Sequence, residues 1–122
     1  MKQRVLVIDD QEEIAFVLKD FLDAHGIDVD IALSGREAVA KMQKSRFDVL
    51  VTDFKLPDLN GLVVAKMGKR IFPTLKIIFV TGYKMELPIM DREIGADYQI
   101  LEKPCRPKTI LHAIESMTLP SK

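Results

Sequence analysis

The chain has 122 residues, 48% of them apolar and 30% charged, with 18 basic residues balanced by 18 acidic ones. That length supports one domain and no second, since a domain near this size buries roughly two-thirds of the surface its unfolded chain exposes, and the balanced charge gives neither nucleic acid nor an anionic membrane a net attraction. One cysteine, Cys105, excludes an internal disulfide, and neither a signal peptide nor a membrane-length apolar segment is visible, so a cytoplasmic location is the expectation.

Residues 4–8 form a short, β-branched apolar run that ends in Asp9 and Asp10, the pattern of a buried strand. Ile14, Val17, Leu18, Phe21 and Leu22 follow at helical spacing and define one apolar face of an amphipathic helix. Gly26 is placed to terminate it in a left-handed conformation. A second strand is expected over 29–33. Ser34, with Glu37 three residues on, makes a capping box for a helix carried by Ala38, Val39 and Met42. The run 48–53, with its strand over 48–52, leaves the Asp53 carboxylate at its carboxyl end. Pro57 and Gly61 mark a turn and loop before a less regular third helix with Leu62, Val63, Ala65, Met67 and Ile71. A fourth strand over 76–80 leads into Thr81 and Gly82. Residues 84–94 read as a weakly patterned fourth helix that Pro88 either starts late or deforms. A fifth strand over 98–102 delivers Lys103 and Pro104. Pro107 takes the first position of the last helix, where a proline forfeits no hydrogen bond, and Ile110, Leu111, Ile114 and Met117 give that helix its apolar face. Residues 1–118 are expected to form the domain, with 119–122 as a tail or the start of a linker.

Strands alternating with helices imply an α/β fold, a doubly wound parallel sheet covered on both faces. Ligands of such sheets bind beyond the carboxyl ends of the strands, where the strand order reverses. If that order is 2-1-3-4-5, the flavodoxin-like arrangement, the first and third strands are neighbours at the reversal and Asp9, Asp10 and Asp53 meet. Strands lie about 4.8 Å apart, so three carboxylates there repel one another unless a cation or protons intervene. Hard oxygen ligands suit Mg²⁺ or Mn²⁺. Thr81 and Lys103 end the next two strands and face the acids with a hydroxyl and an ammonium. Acids, a metal, a lysine and a hydroxyl fit phosphoryl chemistry, with Asp53 as the nucleophile that forms an acyl phosphate.

Each residue alone has a plainer reading. Asp9 or Asp10 could simply cap the following helix, Lys103 could be a solvated lysine and Thr81 a turn residue beside Gly82. His25 and His112 fall in helical stretches remote from the acids and read as surface or boundary residues rather than phosphorelay histidines. Cys105 reads as packing at a helix start, because no activating partner is evident. Only the joint arrangement on four strand ends argues for a site.

With Val7-Ile8-Asp9-Asp10, Asp53 followed by Leu56-Pro57 and Asn60-Gly61, Thr81-Gly82, Gly95-Ala96-Asp97 and Lys103-Pro104 all in order, the chain resembles a receiver domain of bacterial two-component response regulators, the chemotaxis receivers among them, over nearly its whole length. The resemblance implies that Asp53 accepts a phosphoryl group from a sensor histidine kinase or phosphotransfer protein. It further implies that Asp9 and Asp10 hold Mg²⁺ with Asp53 and the backbone carbonyl of Lys55, that Thr81 is the switch hydroxyl, that Lys103 contacts the phosphoryl group, and that the Lys103–Pro104 bond is cis. Output in this family runs through a face made by the fourth helix, fifth strand and last helix, to a downstream protein, an effector domain or a second copy. Ile89, Met90 and Ile94 give that face apolar content. No direct contact with nucleic acid or membrane is expected of this domain.

Two departures set this chain apart from the pattern. Ile100 stands three residues before the lysine, where the family usually carries Tyr or Phe as a switching ring. Gly95 to Lys103 is one residue longer than is common, which leaves Tyr98 two positions earlier on the same strand face. The expectation is that Tyr98 does not replace the ring and that readout runs through Thr81 and the loop after it. Lys55 and Tyr83 flank the phosphoryl position, and Tyr83 is expected either to hinder the attacking water or merely to cover the loop. Two other readings compete with the switch. One is a small Mg²⁺-dependent phosphatase or phosphotransferase, against which the position two residues after Asp53 holds Lys55 rather than an acid; the other is a pseudo-receiver that binds partners without phosphorylation.

Overall fold

In the computed structural model, which describes residues 2–82 and 94–118, each run expected to be a strand is one. β1 (Arg4–Ile8) and β5 (Tyr98–Glu102) have the expected bounds, while β2 (Asp28–Ala32) and β3 (Val49–Asp53) are each shifted by one residue and β4 (Lys76–Thr81) runs one residue longer. The shift in β3 makes Asp53 the last strand residue. Four helices lie among the described residues: α1 (Glu12–Ala24), α2 (Gly35–Lys44), α3 (Gly61–Ile71) and α4 (Pro107–Thr118). The stretch 84–93, Pro88, Ile89 and Met90 included, and the tail 119–122 fall outside them, whereas Ile94 is described and fully buried. All strand pairs are parallel, in the order β2-β1-β3-β4-β5. The expected doubly wound, flavodoxin-like sheet is therefore present, with its reversal between β1 and β3.

Strand alternation sorts the core into two halves. Val5, Val7, Val29, Val49, Val51, Ile78 and Val80 pack with Leu18 and Leu22 of α1 and Ile110, Leu111 and Ile114 of α4. Leu6, Ile8, Leu50, Ile77 and Phe79 pack with Ala38 and Met42 of α2 and Leu62, Val64 and Ala65 of α3. Being covered on both faces is why these strands read as continuous apolar runs rather than alternating ones. Each fully buried aliphatic side chain contributes about 1.5–3 kcal/mol. The two faces differ in bulk: the first is almost all valine, the second leucine, isoleucine and phenylalanine.

Helix ends follow the local chemistry with two corrections. Gly26 is left-handed at φ +83°, and its N–H and that of Ile27 return to Asp23 O and Leu22 O, which closes α1 in a Schellman motif. Ser34 Oγ accepts the Glu37 N–H at 3.1 Å, but the Glu37 carboxylate takes the N–H of Leu33 rather than that of Ser34, so the box closes one residue early. The apolar faces expected for α1 and α3 are the second correction. Ile14 and Val17 are 49% and 61% exposed; α1 buries Leu18 and Leu22 as expected and Ala15 in addition. Likewise Val63 and Ile71 point outward while Val64 and Gly68 are buried. At Gly68 an added Cβ would lie 2.7 Å from the Leu75 side chain, so Leu75 would have to shift to admit one.

The outer edge of β2 is closed by two lysines. Asp28 and Ala32 bond β1 and its flanking residues, so the alternate residues Val29 and Ile31 turn their carbonyls outward. Lys19 of α1 donates to Val29 O and Lys41 of α2 to Ile31 O, each also pairing with an aspartate, Asp23 and Asp30 respectively. Ammonium groups on an edge discourage another strand from adding there.

Candidate functional site

β1 and β3 are neighbours with Ile8 level with Thr52, so Asp9, Asp10 and Asp53 leave the sheet side by side at its carboxyl edge. One carboxylate oxygen from each lies within 4.8 Å of the others. Asp9 is 8% exposed, Asp53 partly buried and Asp10 exposed. Asp9 Oδ1 accepts the Gln11 N–H at 2.9 Å, so this acid both closes an Asx turn leading into α1 and belongs to the cluster. Burial raises the Asp9 carboxyl above its ordinary range; the nearby charges of Asp53 and Asp10 push the same way, opposed by the Gln11 N–H and the Lys103 ammonium.

The remaining strand ends bring the other members. Lys103 N–H donates to Thr81 O at 2.8 Å, extending the β4–β5 ladder past the strands and fixing both residues at the same edge. Lys103 Nζ meets Asp53 Oδ2 at 2.5 Å. Burial acts to lower the lysine's pKa, but the hydrogen bond and the charge of Asp53, with Asp9 and Asp10 behind it, raise it above the usual ammonium range. The other Asp53 oxygen accepts the Lys55 N–H at 3.1 Å. Thr81 is 2% exposed, and the Lys103–Pro104 bond is cis.

The loop after Asp53 is held from two sides. Gly61 N–H donates to Phe54 O at 2.7 Å, and a Cβ at Gly61 would sit 2.4 Å from the Asp53 carbonyl, so only glycine lets α3 begin this close to the acid. Asn60 caps α3 through Val63 N–H. Asp58 reaches across to α2 and accepts the N–H groups of Gly35 and Arg36 as well as that of Leu59. The Arg36 N–H and, after some opposition from desolvation, those of Gly35 and Leu59 hold its carboxyl below the usual range. Sequence spacing did not single out Asp58; the only local signal is an acid in a turn, and its partners lie 22 and 23 positions away.

Residues weighed as bystanders lie away from the acids or only beside them. His25 Nδ1 donates to Phe21 O at the end of α1, and His112 is on the exposed side of α4. Cys105 packs against the α1/α4 core, and burial raises its thiol pKa, the opposite of activation. Ile100 and Tyr98 share the α2/α3 side of the sheet, with the Tyr98 ring edge-on to Phe79 at 6.4 Å. Tyr98 pairs with Ile77, at the opposite end of β4 from Thr81. Tyr83 lies outside the described residues.

The model of the response regulator receiver domain matches residues 5–115. The chain belongs to that family. Relatives of this receiver domain include the response regulator receiver protein CpdR of Brucella abortus, 28% identical over 96% of this chain and 98% of CpdR. The chemotaxis protein CheY of Thermotoga maritima is also 28% identical, over 97% of this chain and 99% of CheY. Among solved structures, a CheY-like receiver domain protein from Methanospirillum hungatei superposes with a TM-score of 0.85 at 32% identity, covering 95% of this chain and 93% of that one. Receiver domains are signalling modules of two-component systems that bind Mg²⁺ at an acidic pocket, and this chain carries an acidic cluster of Asp9, Asp10 and Asp53 at the carboxyl edge of its sheet. Its donor set fits such an ion: the ligands are hard oxygens, and one ammonium faces three carboxylates. Among the described residues no helix is long and apolar enough to cross a membrane.

Proposed function

We propose that this receiver domain is a phosphorylation-driven switch that takes a phosphoryl group onto Asp53 from the phosphohistidine of a sensor kinase or phosphotransfer protein, in the cytoplasm. The observation that carries this is the grouping of Asp53 and Lys103 as an ion pair beside Asp9 and Asp10 at the strand-order reversal. An Asp53 oxygen forms the bond to phosphorus as the bond from phosphorus to the imidazole nitrogen breaks, and the nitrogen keeps that electron pair. The Lys55 N–H on Oδ1 and the Lys103 ammonium on Oδ2 hold the carboxylate in place for attack. Asp9, Asp10, Asp53 and the backbone carbonyl of Lys55 would hold Mg²⁺, which when bound supplies positive charge against the phosphoryl oxygens. Lys103 would then offset the charge of the product, and the Thr81 hydroxyl, one strand over, would read it by hydrogen bonding.

Modification replaces the single charge of the Asp53 carboxylate with a phosphoryl group carrying roughly two, a net gain of about one negative charge in a pocket already dominated by carboxylates. A near-complete swing between two conformations needs about 5.5 kcal/mol of differential stabilisation, and charge-assisted contacts to Lys103 and Thr81 are the terms that change. With Ile100 in place of an aromatic and Tyr98 packed on Phe79, the readout runs through Thr81 and the loop that follows it. The test is incubation with Mg²⁺ and acetyl phosphate, followed by intact-mass measurement. A stable gain of one phosphoryl group that is absent in Asp53→Asn supports the switch. Rapid turnover of external phosphoester would show an enzyme, and no adduct would show a pseudo-receiver.

A further inference from the structure

A buried hydroxyl stands where the sheet pattern calls for an apolar side chain. Thr52 is 0% exposed; the other polar side chains buried among the described residues, Asp9 and Thr81, lie at the strand ends of the acid site. Alternation along β3 puts Thr52 on the side of Leu50, level with Ile8 of β1 and Phe79 of β4, both buried. Neither of those neighbours offers a hydroxyl a partner, and burying one unpaired is costly. The bond it makes is local: Thr52 Oγ1 donates to the carbonyl oxygen of Asp53 at 2.9 Å. Valine has nearly the same shape and suits a strand as well, so packing does not account for the hydroxyl.

The bond governs the backbone that leaves the strand. The oxygen it holds belongs to Asp53, so it fixes the peptide plane between Asp53 and Phe54. Gly61 packs against the same oxygen, closely enough that a Cβ there would overlap it, and its N–H takes Phe54 O at 2.7 Å. That plane sets the direction in which the chain departs, and the Lys55 N–H returns from there to Asp53 Oδ1 at 3.1 Å. Oδ2 is held by Lys103. We propose that Thr52 is a positioning residue for the phosphoacceptor: its hydroxyl fixes the turn after β3, and the turn fixes the rotamer of the Asp53 carboxylate. This role rests on Asp53 being the acceptor, and it belongs to a side chain on the opposite face of β3 from the acid.

Two substitutions separate positioning from packing. Thr52→Val keeps the shape and loses the donor, whereas Thr52→Ser keeps the donor and loses a methyl. In urea melts the valine variant should stay near wild type and the serine variant fall below it, because only serine leaves a void. Labelling by acetyl phosphate with Mg²⁺ should rank the other way, with Thr52→Ser within about twofold of wild type and Thr52→Val about tenfold slower, less than the roughly hundredfold that a displacement of about 1 Å costs. The Lys55 amide gives a readout that needs no phosphoryl group: its resonance and its hydrogen exchange in the unphosphorylated chain should change in Thr52→Val and hold in Thr52→Ser. Labelling rates that follow the order of stability overturn the proposal, as does a wild-type rate, or an unchanged Lys55 amide, in Thr52→Val. If the wild-type chain takes no phosphoryl group, the phosphoacceptor reading fails, and the Lys55 amide decides whether Thr52 holds the turn. Should Thr52→Val not fold, Thr52→Cys set against Thr52→Ser makes the same comparison, because a thiol is a weak donor.

Discussion

Replacing Asp9 with asparagine should stabilise the metal-free protein, even though it removes a metal ligand. Asn keeps the side-chain oxygen that accepts the Gln11 N–H, so the turn into α1 survives and only the charge is lost. Two like charges 4.8 Å apart repel by about 3.5 kcal/mol at an effective dielectric constant near 20. Asp9 faces two such neighbours, Asp10 and Asp53, and one ammonium, Lys103. The attraction cancels roughly one repulsion, and exposure of Asp10 with ordinary salt weakens the other. A net gain of about 1–2 kcal/mol remains, which for a domain of this size is a rise of roughly 3–8 °C in melting temperature.

The pH dependence gives the refutation its edge. A carboxyl whose folded pKa is raised binds its proton more tightly in the folded state, so its contribution to stability falls as pH rises from the unfolded value, 3.8, through the folded one. The penalty is complete above that window and absent below it. Urea melts in chelator-treated buffer should therefore show Asp9→Asn more stable than wild type at pH 7, with the difference vanishing below about pH 3.8. Saturating Mg²⁺ should reverse the order at pH 7, because only the wild type keeps the ligand. Equal or lower stability of the variant at pH 7 without metal would refute the electrostatic account of the cluster.

Gly61→Ala places a methyl 2.4 Å from the Asp53 carbonyl, and backbone on both sides cannot yield, so a loss of about 2–3 kcal/mol in denaturant melts and slower acetyl phosphate labelling are expected. Lys103→Met removes the partner of Asp53 and should lower the metal-free melting temperature. Since the lysine's folded pKa lies above the ordinary 10.5, that difference should persist through neutral pH and fade as pH rises beyond 10.5. Asp58→Ala strips an acceptor from Gly35, Arg36 and Leu59, and hydrogen exchange at those amides should quicken at pH 7. Because the folded pKa of Asp58 is depressed, the stabilisation it gives is present above about 3.8 and lost as pH falls through the folded value. Joint replacement of Lys19 and Lys41 by alanine frees the outer carbonyls of β2, and concentration-dependent self-association in sedimentation velocity is the expected result.

How far the sequence could be read depended on whether the deciding interaction was local. β1 to β5 were visible because strands buried on both faces must be apolar at consecutive positions, and the turn residues beside them set their ends. Asp9, Asp53, Thr81 and Lys103 could be grouped because the doubly wound topology puts every strand's carboxyl end at one edge. The apolar stripe of α1 holds at Leu18, Phe21 and Leu22 but not at Ile14 and Val17, since periodicity reports where apolar residues lie and not which of them the sheet covers; Ala15, too small to mark a stripe, is buried while Ile14 and Val17 are not. Asp58 escaped notice for a different reason. Its work is done on the start of another helix, and no spacing rule joins residues that meet only after folding. The Lys69–Asp97–Lys76 arrangement, which ties the end of α3 and the start of β4 to the turn before β5, is of the same kind.

The unequal bulk of the two sheet faces also bears on how the molecule answers compression. Pressure favours the state of smaller volume, and in this chain the cleft lined by Asp9, Lys103, Ile14 and Cys105 opens the α1/α4 side of the sheet to water. Yielding under pressure should therefore begin there, with water entering past Asp9 and Lys103, while the Leu6, Leu50 and Phe79 side holds. High-pressure spectra would then show valine methyls changing before those of leucine and isoleucine across the sheet, so that one layer of a single small domain is soft and the other hard.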